Sequence, residues 1–300
     1  MAHDHDHAHD HHRDVGRRRL LIVLAFTAVY MVVEFVGGLM ANSLALMADA
    51  GHMLSDVAAL GLSAFAMWFA ARPATEARTY GWLRFEILAA LINGVTLVVI
   101  ALLIYWHAWR RLMDPPEVAG GLMLGVASVG LLVNLMAAAM LHASAGHSHN
   151  VRGAYLHVLG DLLGSVGAIG AAAVILWTGW TPADPIISAV VATLILVGSW
   201  RLVRESTDIL LEAVPRHVDL PEVRAAILEV PRVEAVRDLH VWTLTSGFHA
   251  MSCHVQVRDP AAGQEVIRSI HERMHHDFGI EHVTIQIDHP RIYRIGDEPV

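Results

Sequence analysis

Apolar residues fill six long blocks in the first part of the chain, approximately at 20–40, 44–70, 85–107, 118–142, 154–178 and 185–203. About 20 helical residues cross the roughly 30 Å of hydrocarbon in a bilayer. Each block therefore predicts a membrane-spanning helix, and six spans return the chain to its starting side. The first block follows Arg17, Arg18 and Arg19 as a signal peptide would, but it is too long, contains Glu34 and lacks a small-residue cleavage site. It is expected to remain as a helix. After residue 206 the pattern shortens. Residues 219–229 suit a helix that Pro231 ends, 235–245 and 249–257 alternate as paired strands across Ser246-Gly247, 262–277 suit a second helix and 282–288 a last strand.

The order helix, strand, strand, helix, strand resembles a ferredoxin-like α+β sheet. The expected organisation is thus a disordered His-rich tail over residues 1–16, a six-helix transmembrane domain over 17–205 and a small cytoplasmic ferredoxin-like domain over 206–300. Composition agrees: 55% of residues are hydrophobic and 17% charged, where soluble domains carry roughly 25% charged residues. Positive loops stay cytoplasmic. Arg13, Arg17, Arg18, Arg19, Arg72, Arg78, Arg84, Arg152, Arg201 and Arg204 flank one set of helix ends, and only Arg110 and Arg111 the other. Both termini are therefore expected in the cytoplasm, with the cell (inner) membrane as the location. From residue 206 onward, fifteen Asp and Glu face nine Arg. That balance repels nucleic acid and suits a cationic ligand. Cys253 is the only cysteine, so an intramolecular disulfide or a Cys-rich zinc knuckle is excluded.

Histidine, present 21 times, is the informative residue. Ala50 to Asp56 in the second block and Gly153 to Asp161 in the fifth each place His and Asp four residues apart: His52 with Asp56, and His157 with Asp161. Residues at that spacing share a helix face, and repetition in two helices points to a shared site. Facing each other, the two pairs make an N2O2 cage of the kind that holds zinc tetrahedrally. The missing thiolate argues against Cu(I). The bland reading is glue between helices, but an ionised Asp at a helix centre costs about 2.5–3.5 kcal/mol. Asp49, one turn before His52, either extends the ion path or is a boundary carboxylate near water. Glu34 and Glu86 are weaker candidates, and Glu86 is expected to pair with Arg84.

The stretch from Ser43 to Asp56 resembles the signature of the cation diffusion facilitator family. So do Tyr80 to Asn93, the His157 and Asp161 pair, Asp238-Leu239-His240-Val241-Trp242 and Thr284-Ile285-Gln286-Ile287-Asp288, so that the likeness spans about residues 17–289. The resemblance implies a homodimeric metal and proton antiporter, no enzyme, with His52, Asp56, His157 and Asp161 as transport site. Having His at the first of these positions resembles the more zinc-selective branch, with cadmium, cobalt and nickel as further candidate cargo. Some members add a metal site between the second and third helices. Residues 71–84 here hold no His and only Glu76 as a carboxylate, so that site does not carry over.

In the last domain, strand alternation turns Met251, Cys253 and Val255 inward. It leaves His240, His254 and Asp288 on the open face of the sheet. That face is either plain polar surface or a second metal site at a dimer interface, similar to what the family shows. Two alternatives to transport come from this region: a membrane-bound metal sensor, and a protease using His271, Glu272 and His275, which spell HExxH. A domain of ~90 residues ending just after that helix leaves little room for a third ligand and a cleft, and a sensor needs no ionisable cage at bilayer depth. The tail, with His3, His5, His7, His9, His11 and His12 among Asp4, Asp6 and Asp10, cannot bury a core and reads as a loose metal sponge. Deleting residues 2–12 is expected to change apparent affinity at low zinc by a small factor and leave the maximal rate nearly intact. Flux into vesicles measured over a range of zinc concentrations checks this.

Overall fold

The computed structural model describes residues 25–70, 72–145 and 149–288. The tail expected over 1–16 lies outside the described residues. Six helices come first: α1 (Ala25–Ala41), then α2 (Leu44–Ala70), α3 (Phe85–Met113), α4 (Gly120–Ala145), α5 (His149–Thr178) and α6 (Ala183–Leu210). Among the described residues, four helices are long and apolar enough to cross a membrane, over Phe85–Met113, Gly120–His142, Val158–Thr178 and Ala183–Leu210. Ala25–Ala41 is a shorter apolar helix. There follow α7 (Leu220–Leu228), β1 (Val233–Thr245), β2 (Phe248–Val257), α8 (Gly263–Phe278) and β3 (Ile280–Asp288). The described residues form two compact units, one within 1–61 and 92–201 and the other within 62–91 and 202–300.

In the second unit the sheet order is β1-β2-β3. β1 and β2 form an antiparallel hairpin, and β2 pairs with β3 in parallel, which requires the crossover that α8 supplies. Val223 and Ile227 of α7, Val266, Ile270 and Met274 of α8, and Val241, Met251, Cys253 and Val255 of the strands close one core. The spacing of the α8 residues is that of one helix face. Gly279 ends α8 with φ +63°, a left-handed conformation that glycine adopts without a Cβ clash. Burial pushes the Cys253 thiol up to about 11, so it stays a neutral core residue. The start of α3 belongs to this unit. Glu86 accepts hydrogen bonds from Thr245 and from Ser246 (2.9 Å) at the hairpin turn. Arg84, its expected partner, instead pairs with Glu212 at 2.6 Å.

In the first unit, helices meet through small residues, which allow close backbone approach without a hydrophobic driving force. Ala127, Ala168, Ala171 and Ala172 surround Met123 and Ile175, and Ala48, Ala101, Ala108 and Ala192 join Leu44 and Ile195. Gly130 is a close approach: a Cβ there would lie 2.2 Å from the Tyr30 hydroxyl.

A carboxylate ties the helix ends on one side of this unit. Asp184, in the first turn of α6, is fully buried. It accepts hydrogen bonds from the Ser43 hydroxyl (2.6 Å) and from the backbone N–H groups of Leu44 (2.8 Å) and Ala45 (3.1 Å). The first N–H groups of a helix have no partner within it, so α6 caps α2 from outside. Arg111 at the end of α3 reaches Asp184 at 3.4 Å and donates to the Asn42 carbonyl at 2.6 Å. Asn42 takes φ +52° to turn α1 into α2. Asp184→Ala strands both the guanidinium and the capped N–H groups, and is expected to cost about 3 kcal/mol. Thermal unfolding of the detergent-solubilised protein measures it, with Asp184→Asn falling between.

Candidate metal centre

α2 and α5 are continuous helices through both His-Asp pairs. Across them, His52 Nε2 stands 3.8 Å from Asp161 Oδ1. Two ligands at 2.0–2.2 Å from a tetrahedral zinc lie roughly 3.3–3.6 Å apart, so this pair is close to coordination spacing. The side chains of Asp56 and His157 lie outside the described part of the structure. Helix geometry keeps Asp56 one turn after His52 and His157 one turn before Asp161. Among the described residues, no three His, Cys, Asp or Glu side chains form a ready-made cage.

His52 and Asp161 line a cavity of about 270 Å³ together with Asp49. Gly160 and Gly164 on α5 leave it open, and Val191, Leu194 and Ile195 of α6 supply its apolar side. Asp49 is buried, at 5% exposure. A Cβ on Gly164 would sit 3.2 Å from its Oδ1, so the glycine makes room for it. Glu34 is likewise buried, with the Tyr30 hydroxyl 3.2 Å from its Oε1. Asn93 receives a hydrogen bond from Ser55 (3.0 Å) and Asn134 donates to Ser165 (3.4 Å), both between helices.

On the sheet, His254 Nδ1 lies 3.1 Å from Asp288 Oδ2. His240 joins them through a residue that strand alternation did not single out. Asp238 contacts His240 Nε2 at 2.9 Å and faces His254 Nε2 at 3.9 Å. The cause is a bulge: Arg237 pairs with His254 but His240 with Ser252, so β1 carries one extra residue here. Asp238 takes φ +50° within it, as bulges that re-aim side chains do. Its position two residues from His240 was the available signal. Gln286 donates to Asp288 Oδ1 (3.0 Å), fixing that carboxylate. The HExxH residues His271, Glu272 and His275 lie on the exposed side of α8, opposite Ile270 and Met274. Elsewhere in the domain, burial first, and then the His217 ring 4.8 Å away, holds His249 lower than an ordinary histidine.

Comparison with known proteins identifies the family. Residues 20–211 match the cation efflux transmembrane domain, and residues 215–290 the cytoplasmic domain of cation efflux proteins. The zinc transporter ZitB of Shigella flexneri is 46% identical over 297 residues, covering 98% of this chain and 95% of that protein. A cadmium, cobalt and zinc/H(+)-K(+) antiporter of Bacillus velezensis is 42% identical over 293 residues, covering 96% of this chain and 92% of the other. Among solved structures, the metal-bound C-terminal domain of the CzcD transporter from Cuprividus metallidurans matches at 41% identity and a TM-score of 0.22, covering 24% of this chain and 99% of that one. With both domains matched and relatives similar over nearly its whole length, this integral membrane protein is a metal-cation transporter, not an enzyme, and belongs to the cation efflux (cation diffusion facilitator) family.

Proposed function

We propose that the chain exports zinc from the cytoplasm in exchange for protons, through a site of His52, Asp56, His157 and Asp161. The observation that carries this is the approach of His52 to Asp161, 3.8 Å apart, on the wall of a cavity among apolar helices. Ionisable side chains at bilayer depth are costly and mark ion paths. Two of them brought to coordination distance from separate helices favour a bound cation over a structural pair. Helix periodicity adds Asp56 and His157 to the same stripes, and buried Asp49 extends the path by one turn. The names of the relatives, zinc transporter and zinc/H(+)-K(+) antiporter, support both the cargo and the exchange. Cadmium and cobalt, named for the second, join nickel as secondary cargo.

Zinc needs neutral imidazole and ionised carboxylate, so protons and metal compete for the same atoms. Imidazole titrates near pH 6.5, inside the working range of a proton-driven exporter. A site opening alternately to the two sides then carries zinc one way and protons the other. This reading assigns six spans to residues 17–205 and a ferredoxin-like cytoplasmic domain to 206–300. It places both termini in the cytoplasm and the protein in the inner membrane as a homodimer. His240, His254 and Asp288, with Asp238 added, form a second zinc site on the open sheet face. A cation there removes the repulsion between acidic faces brought together in a dimer and stabilises that form by mass action.

Asp161→Ala is expected to abolish zinc uptake into proteoliposomes under an imposed pH gradient while the protein remains folded, and full flux would sink the assignment. His52→Asp is expected to keep transport and to raise cadmium relative to zinc, since an oxygen-richer cage relaxes the tetrahedral preference; unchanged selectivity contradicts that. For the second site, the triple variant His240→Ala, His254→Ala, Asp288→Ala should lose calorimetric zinc binding in residues 206–300. Glu272→Gln, the control, should not. Equal binding by the triple variant reduces these residues to polar surface.

A further inference from the structure

The loop between α2 and α3 carries two guanidinium groups in a prepared setting. Arg72 stacks over Trp68 (4.8 Å) and Phe69 (4.2 Å), and Arg78 over Trp82 (3.6 Å). Phe69, Trp82 and Phe85 pack edge to face around them. The loop backbone is ordered by paired hydrogen bonds between Thr75 and Arg78 (3.1 and 3.0 Å) and by Gly81 donating to the Arg78 carbonyl at 2.9 Å. Gly81 sits at φ +64°, which closes the turn without strain. Both Arg side chains are exposed. Among the described residues neither has a carboxylate partner, and the loop's own Glu76 pairs with neither. Arg84, by contrast, is engaged by Glu212.

We infer that this loop is a docking surface for the headgroup phosphate of an anionic phospholipid, held by Arg72 and Arg78 on their aromatic platform. Contact with ring faces holds a guanidinium without using its N–H groups, which stay available to grip phosphate oxygens in pairs. The position favours lipid over a soluble anion. The apolar span of α3 begins at Phe85, directly after the loop, and Trp68 and Phe65 at the end of α2 are 60% and 46% exposed. Exposed aromatic rings beside Arg at a helix end are what a membrane–water interface collects, and each Arg near an anionic surface adds to lipid attraction. The inference rests on α3 crossing the bilayer, as the proposed function does. It is independent of the metal site.

The test uses full-length protein in micelles holding equal phosphatidylglycerol and phosphatidylcholine, with bound lipid counted by native mass spectrometry. Wild type is expected to retain phosphatidylglycerol preferentially. Arg72→Gln with Arg78→Gln should reduce the preference about thirtyfold, and either alone about fivefold. Arg72→Lys with Arg78→Lys keeps charge without the fork and should fall between wild type and the double Gln variant. An undiminished preference in the double Gln variant overturns the inference. A spin label at Thr79→Cys, on a Cys253→Ala background, reads the depth of the loop in vesicles. A label in bulk water overturns lipid docking and leaves a soluble acidic partner in its place. Zinc flux of the double Gln variant in phosphatidylcholine vesicles is expected to match wild type, so loss of lipid preference with intact flux separates this surface from the transport reading.

Discussion

A polar group inside hydrocarbon has no water to satisfy it, so it must find its partners within the protein or line a path where water and ions enter. The helical unit follows that constraint. Asp184 spends both oxygens on Ser43 and on the N-terminus of α2, with Arg111 neutralising it. Ser55 closes on Asn93, and Asn134 on Ser165. His52, Asp49 and Asp161 are distinguished from these groups by lining a cavity. They bring an imidazole and two carboxylates to a place where glycine on α5 and aliphatic residues on α6 leave space. The structural bonds position the helices, and the cavity-lining ionisable groups come from α2 and α5.

Features set by short-range periodicity were legible in the sequence. Helix α2 spans residues 44–70, as its apolar block predicts, and strands β1 and β2 fall within two residues of their alternating segments. The i, i+4 spacing of His and Asp picked out His52 and Asp161 before any coordinates. Features set by tertiary contact were not. Arg111 read only as a sparse charge on the far side of the membrane, because its partner Asp184 is 73 residues away. Glu86 was assigned to Arg84 by nearness in sequence, but residues two apart on a helical segment do not face each other. Its acceptors' partners lie about 160 residues on, at the hairpin turn. Asp238 was legible in principle, two residues before His240 and so on the same face by alternation, but the bulge that aims it at His254 was not, since nothing in local composition announces one.

The bulge also bears on how the C-terminal unit is built around its sheet. β1 holds Asp238 and His240 at its middle and Thr245 at its end, where Thr245 and Ser246 bind Glu86 at the start of α3. A paired strand is stiff along its length, and its ladder to β2 resumes from His240 through Thr243. A second irregularity between Thr243 and Thr245 precedes the hairpin turn. At the turn the strand meets a carboxylate in the first turn of an apolar helix of 29 residues. A second tie, Arg84 to Glu212, joins the segment before α3 to the residues just after α6. With two polar ties on either side of Phe85, the first turn of α3 cannot shift without breaking a hydrogen bond to the hairpin or an ion pair to the end of α6. The cluster of Asp238 and His240 and that helix end are thus joined through one strand, whose last residues hold Glu86.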